Sequence, residues 1–353
     1  MSIRTIVAFA LGIAVCGSVT PAVAQPSAKP AAPLARWVEV QNASLNVRYR
    51  VADNSAGTLI TNQLQHRESL RARVKFDAPG RYALNVGTFS GSRFTSGWNN
   101  TGVGMGDWQN PLSVRTLYFA AQPLGGIEAQ YGSLYIVKGE SSEITTYDED
   151  GYVIGERVSV RRPDNLFFDE IAATVGYLSS DPAEIGVSKR AKYLDERPNY
   201  RHYLVDKKIG THAGVSADFT SDHGARTWRA AASVDTEELP VVADGILVET
   251  YKRTNRNPDY GFAVSINKSL NRVVALNGGY ARIDPFYGGL NADRFNIGKR
   301  VFITTSFAIS PRFAASAFVT TAVGDNVNLP QRTLMNLIFT YNALPDIRRS
   351  GLF

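Results

Sequence analysis

The chain has 353 residues, of which 44% are hydrophobic, and its 38 Lys and Arg residues against 32 Asp and Glu give a formal net charge of +6. The basic residues are spread along the chain without a clustered patch or a helical reader, so we expect no nucleic-acid partner. The only cysteine, Cys16, lies near the N-terminus, and beyond that region no segment approaches the roughly 18 apolar residues that a spanning helix needs.

The N-terminus has the features of a secretory signal peptide. Arg4 precedes an apolar stretch at residues 6–15, and the small-residue pattern Ala22-Val23-Ala24 offers a cleavage site. We therefore predict that residues 1–24 are removed during export, together with the cysteine. Residues 25–43 begin with a Pro- and Ala-rich stretch and are predicted to be a linker that leads into the fold.

Apolar and polar residues largely alternate in short segments, most clearly in the last third of the chain. Phe262, Val264 and Ile266 form the apolar set of one such segment, with Ala263, Ser265 and Asn267 between them. A period of two places one face in lipid and the other in water. Because no spanning helix is expected, this pattern predicts an all-β fold, an antiparallel transmembrane β-barrel at residues 44–344.

Turn-forming residues divide this region into about fourteen strands, and 12 to 16 would fit equally well. We predict short periplasmic turns, among them 179–184 and 221–224, alternating with long outer loops, among them 139–166 and 236–259. Both termini would then be periplasmic, with residues 345–353 as a tail. The segment 246–252 looks like a strand but lies within a predicted outer loop. The predicted strands are 44–52, 67–78, 81–90, 111–121, 127–138, 167–178, 185–194, 201–220, 225–235, 260–267, 272–283, 299–310, 312–321 and 332–344.

Basic residues occupy the polar face of the first two strands. If the apolar sets face lipid, Arg48 and Arg50 point into the lumen from the first strand, and the second contributes three more cations. Such a ladder attracts anions in a narrow pore. Alternatively, these arginines pair with inward acids and fill the barrel. The candidate pore-lining residues are Arg48, Arg50, Arg71, Arg73, Lys75, Glu170, Asp218 and Asp235.

In alternation and loop spacing the mature chain resembles outer-membrane channel proteins of Gram-negative bacteria, porins and alginate-export-like barrels among them. The resemblance implies passive diffusion of small hydrophilic solutes, anions among them, through a barrel surrounded by outer-membrane lipid and lipopolysaccharide. The terminal Phe353 matches the aromatic residue that such proteins present to the barrel-assembly machinery. Because the tail from Asp346 departs from a strand pattern, Leu337-Ile338-Phe339-Thr340-Tyr341 is an alternative signal.

The residues do not indicate an enzyme. The four histidines, His66, His202, His212 and His223, lack the spacings of outer-membrane phospholipases or proteases, and Asp222-His223 falls at a predicted periplasmic turn. The acidic stretch 148–150 lacks the ligand spacing of a calcium loop, so we expect neither a metal nor a cofactor.

Several further possibilities follow from the same residues. A closed barrel could have a structural or surface-interaction role. A soluble periplasmic β-sandwich that binds glycans would need Leu70, Phe76, Val264 and Phe307 to form a protein core. Within the predicted loops, Trp98 could stack on a sugar or anchor a loop at the membrane surface, and residues 161–164 could fold inward to narrow the pore.

Overall fold

The computed structural model describes residues 34, 36–91, 97–109, 112–146, 152–161, 166–179, 198–236, 243–255, 259–283, 294–324 and 331–351. The predicted signal peptide, the predicted strand 185–194, the acidic stretch 148–150 and Phe353 lie outside these residues. No helix within the described ranges is long and apolar enough to cross a bilayer.

The described chain is built almost entirely from β-strands. A single six-residue helix within the described part, α1 (Leu344–Arg349), follows the last strand. The strands are β1 (Val38–Asp53), β2 (Leu59–Lys75), β3 (Tyr82–Ser90), β4 (Asn99–Gly104), β5 (Leu112–Leu124), β6 (Ile127–Tyr135), β7 (Tyr152–Val160), β8 (Glu170–Ser179), β9 (Tyr200–Ile209), β10 (Ala213–Asp222), β11 (Ala225–Asp235), β12 (Gly245–Arg253), β13 (Asp259–Ser269), β14 (Val274–Ile283), β15 (Gly298–Ala308), β16 (Phe313–Ala322) and β17 (Thr333–Asn342).

Sixteen of these strands close into an antiparallel barrel. Each pairs with its neighbour in chain order, except that β3 pairs with β5, and β1 closes the ring against β17, with Tyr49 opposite Leu337. The remaining strand, β4, pairs with the first half of β2, where Gln65 lies opposite Asn100. The prediction of an antiparallel β-barrel is confirmed, and the strand number is at the upper end of the expected range.

The two ends of the barrel differ in the length of their connections. The end that carries the chain termini has tight turns, such as Gly125-Gly126 between β5 and β6, whereas the other end carries the long connections 91–111, 136–151, 180–199 and 284–297. Outer-membrane barrels have short turns on the periplasmic side and long loops outside. The first end is therefore called the periplasmic end and the second the outer end.

Three strand assignments differ from the prediction. The predicted outer loop 139–166 contains β7, and the predicted loop 236–259 contains β12. The predicted strand 201–220 is a hairpin of β9 and β10, which turns at Gly210 with a φ of 61°. As a consequence, the turn at 221–224, and with it Asp222-His223, lies at the outer end, and the prediction that it is periplasmic was wrong. The connection after β8, predicted as the short turn 179–184, also lies at the outer end.

Side chains alternate between the inner and outer faces of the wall, as the sequence predicts. Leu70 and Phe76 are 42% and 57% exposed on the outside, and Val301 and Ile303 are also exposed there. A soluble sandwich would bury these side chains in a protein core. The closed barrel with an apolar exterior therefore excludes the sandwich alternative.

Candidate functional site: the barrel interior

Arginines on β1 and β2 form a basic wall on the inner face, defined here as Arg48, Arg50, Arg67, Arg71 and Arg73. The strand register brings them together, because Arg48 lies opposite Gln65 and Asn46 lies opposite Arg67. The Nε of Arg48 donates to Gln65 Oε1 at 2.8 Å, and the Nε of Arg50 donates to Asn336 Oδ1 at 2.9 Å. Neutral amides thus help to orient these two guanidinium groups.

Aromatic rings contact three arginines of the basic wall. The guanidinium groups of Arg48 and Arg67 lie 4.2 and 4.8 Å from the ring centre of Trp98, and Arg71 lies 4.8 Å from that of Tyr135. Each contact is a cation–π interaction, worth about 0.5–2 kcal/mol depending on how much water it excludes. Trp98 therefore packs against the basic wall.

The fifth predicted cation, Lys75, lies near the periplasmic end of β2. Its ammonium group is 3.1 Å from the carboxylate of Glu39 on β1, so an ion pair offsets its charge. In contrast, neither Arg71 nor Arg73 contacts a carboxylate within the described part of the chain; Arg73 donates instead to the carbonyl of Gly80 at 2.6 Å. The positive charge of the predicted basic ladder is therefore offset at Lys75 but not at Arg71 or Arg73 by any described carboxylate.

The predicted inward acids lie elsewhere, on β8, β10 and β11. Asp218 is buried and accepts hydrogen bonds from Arg229 at 2.6 and 3.1 Å, and Glu170 accepts one from Arg161 at 2.8 Å. These partners come from β11 and from the turn after β7, not from the basic wall. Asp235 is exposed at the periplasmic end, where it borders a cavity of about 680 Å³.

A segment between β6 and β7, residues 136–146, folds into the barrel and is called the inward segment. Its Ile144 packs in a buried cluster with Ala263 of β13, Phe302 of β15 and Phe318 of β16. These strands stand nearly opposite β6 in the ring. The inward segment therefore crosses the lumen and narrows it. Residues 161–164 were considered for that role from the sequence, but Arg161 follows β7 at the periplasmic end.

Glu249 of β12 holds the tip of the inward segment. Its carboxylate accepts hydrogen bonds from the backbone N–H of Ser142 at 3.0 Å and from Thr145 Oγ1 at 2.5 Å, and the Ser142 hydroxyl donates a third. These three donors satisfy both oxygens of the buried carboxylate. This anchor fixes the position of the segment across the lumen.

Two acids of the inward segment form further anchors. Glu140 accepts hydrogen bonds from Lys208 and Ser233, and Glu143 accepts one from Arg294 at 2.5 Å. Burial raises the pKa of the Glu140 carboxyl, but its hydrogen bonds with Lys208 and Ser233 outweigh burial, so the pKa lies below its usual value. The segment thus meets the wall through charge-paired acids.

Gly139 is required where the inward segment first meets the wall. Its φ is 58°, and a Cβ at this position would lie 2.7 Å from the side chain of Ser216 and 2.9 Å from that of Leu204. Only glycine combines this left-handed backbone with so close an approach. The chain can therefore turn inward at this point.

Three of the four histidines each lie next to an acid. His202 is buried 3.4 Å from Asp218, whose carboxylate is also held by Arg229. His66 contacts Glu68 at 2.7 Å and stacks on Trp108, and His223 contacts Asp222 at 2.5 Å in the outer turn. Within the described residues, no group of three or more His, Cys, Asp or Glu side chains is placed to hold a metal ion.

Comparison with known proteins identifies the class of fold. Neither a family model nor a curated protein matches the sequence. Solved porin structures do match: that of Salmonella typhi OmpF complexed with daunomycin, at 10% identity and a TM-score of 0.57, covers 86% of this chain and 97% of its own. A mutant of Rhodopseudomonas blastica porin matches at 8% identity and a TM-score of 0.55, with 86% and 99% covered. The chain is thus similar in fold to porins.

Sequence reasoning found part of this interior. It identified the arginines of β1 and β2 from their alternation with apolar residues. It missed Arg67, although this residue begins the predicted strand 67–78 and alternates in step with Arg71 and Arg73. It also missed Glu249 and the residues that this carboxylate binds. No local pattern in the chain marks a contact between side chains that are more than 100 positions apart.

Proposed function

We propose that this protein is a non-enzymatic outer-membrane channel through which small hydrophilic solutes diffuse passively, with a preference for anions. The observation that carries the proposal is a closed sixteen-strand barrel whose lumen is narrowed by an inward segment and bordered by the basic wall. Export by the N-terminal signal, assembly by the barrel-assembly machinery and a surrounding of lipid and lipopolysaccharide belong to the same proposal.

The preference for anions is supported by how the interior charges are distributed. Acids on the far side of the lumen are paired, Asp218 with Arg229 and Glu140 with Lys208. Arg71 and Arg73 are held by rings and a backbone carbonyl, which leave their charge uncompensated by any carboxylate of the described residues. A net positive potential next to the passage lowers the energy of an anion and raises that of a cation.

Charge reversal on the basic wall tests the preference. Arg71→Glu combined with Arg73→Glu should move the reversal potential in a salt gradient toward cation selectivity, with the barrel still folded. The matched control is Lys252→Glu together with Arg226→Glu, which changes the net charge equally on the outer surface. An unchanged reversal potential in the first variant would contradict the proposed role of the basic wall.

A second candidate is a plugged barrel with a structural or surface-interaction role. The inward segment favours it, because buried contacts and three hydrogen bonds to Glu249 fix the segment across the lumen. Such a barrel would insert into a bilayer and carry no current. Bilayer conductance therefore separates the two candidates.

A further inference from the structure

The outer end of one side of the barrel carries a row of outward-facing cations. On strands β9, β11, β12, β14 and β15, the outermost residue that faces outward is basic. We call these residues the outer basic belt: Arg201, Arg226, Lys252, Arg282 and Lys299. On the two intervening strands, β10 and β13, the corresponding residues are Ser221 and Tyr260, so no carboxylate interrupts the belt.

The strand register makes the belt continuous. Ser221 lies directly opposite both Arg201 and Arg226. Further along, Arg282 lies opposite Lys299, and its guanidinium group is 4.5 Å from the ring centre of Tyr260, which in turn lies opposite Lys252. Directly opposed residues have Cβ atoms roughly 5 Å apart, so neighbouring charges repel unless an anion lies between them.

The outward lysines at the periplasmic end of this same side are arranged differently. Lys207 lies 3.3 Å from Asp169, and Lys268 lies 2.8 Å from Asp244, so both are neutralised by carboxylates of the protein. None of the five belt residues forms an ion pair with any residue that the structure describes. The outer end thus leaves its positive charge for a ligand, whereas the periplasmic end does not.

Apolar side chains lie immediately below the belt on the same strands. Tyr203 follows Arg201, Trp228 follows Arg226, and Val301 follows Lys299, each two residues further from the outer end and each at least 40% exposed. The belt is also confined to one side of the barrel, because the corresponding positions on β16, β17 and β1 are Thr321, Thr333 and Asp53. A ligand that fits both the belt and the apolar side chains below it therefore has an anionic headgroup and an apolar tail.

We propose that the outer basic belt binds the phosphorylated headgroups of the outer-leaflet glycolipid, lipopolysaccharide, whose acyl chains lie on the apolar band beneath. A cation close to an anionic membrane surface contributes roughly fivefold to binding. Two or three belt residues per phosphate pair therefore give a specific, salt-sensitive site. The proposal rests on residence in an outer membrane and not on conduction through the lumen.

The test uses the full mature chain, refolded in detergent and titrated with purified lipid A that carries both phosphates. Binding is followed by native mass spectrometry, and folding is checked separately by heat-modifiable migration in a gel. The variant Lys252→Gln/Arg282→Gln/Lys299→Gln should lose roughly 100-fold in affinity. The matched control, Lys207→Gln/Lys268→Gln, removes outward charge at the periplasmic end and should bind within about twofold of the unmodified chain.

Dephosphorylated lipid A provides the second arm. The unmodified chain should bind it as weakly as the triple belt variant binds the phosphorylated form, and inorganic phosphate alone should not compete at equal concentration. Equal affinity for the two lipids would overturn the proposal, as would an equal loss of affinity in the periplasmic control. Because no step of this test involves current, a silent barrel that binds lipid A would refute the channel and leave the belt intact.

Discussion

Removing the Glu249 carboxylate should release the inward segment. Glu249→Ala deletes an acceptor that serves the Ser142 N–H, the Ser142 hydroxyl and Thr145 Oγ1. A hydrogen bond to a charged group contributes about 1.5–3 kcal/mol, and three that share one carboxylate are not additive, so we take about 3 kcal/mol for the set. The equilibrium between held and released segment should then shift by roughly 100-fold.

The assay is single-channel recording in a planar bilayer, with the unmodified protein measured alongside. Release should raise the conductance and add current noise, since the segment would then move within the lumen. Glu249→Gln is the matched control, because its amide oxygen still accepts hydrogen bonds and should give an intermediate result. A fully folded Glu249→Ala barrel with unchanged conductance and unchanged noise would refute the anchoring role of Glu249.

Two further predictions concern stability. The Lys268 ammonium group and the Ser269 N–H hold the pKa of Asp244 at about 2, below its usual 3.8, so its contribution to stability is present above about pH 4 and is lost as the pH falls through 2. Asp244→Asn should therefore lower the unfolding temperature at pH 7 and have a much smaller effect at pH 2, and equal effects at both pH values would contradict this. Ile303→Arg places a charge on the lipid-facing side of β15 and should cost about 2–4 kcal/mol of folding free energy in vesicles. The control Thr304→Arg, on the inner face, should cost much less. Folding free energies are measured by urea titration, and equal losses in the two variants would show that the assigned faces are wrong.

The barrel was predictable where alternation was regular. Segments such as β1, β2, β13 and β15 place apolar residues at every second position, which gives both the strand and its outward face. β7 escaped prediction because exposed Glu156 lies between Ile154 and Val158 in its outward set and Gly155 lies in its inner set. With one acid outside and one glycine inside, neither face shows the expected pattern.

Two errors of topology compensated for each other. Missing β7 reversed the assigned direction of β8, β10 and β11, and missing β12 restored it for the strands after β12. The segment 246–252 was seen to be strand-like, but the alternation of long and short connections left no place for it. Connection length is a weak guide here because Ser221 to Ala225 is a tight turn at the outer end, where long loops prevail.

The interior was predictable only in its local part. Arg48, Arg50, Arg71 and Arg73 follow from strand alternation, because the side chain of every second residue must face inward. The inward segment depends on Glu249 and on the apolar cluster around Ile144, which join residues far apart in the chain. Such contacts exist only once the barrel has closed and brought β12 and β13 across from β6.

The most direct test of the central claim is single-channel conductance of the refolded, unmodified protein in a planar bilayer with a salt gradient across it. An open channel bordered by the basic wall predicts discrete current steps and a reversal potential that indicates anion preference. A folded, inserted barrel that carries no current, or one that prefers cations, would contradict it.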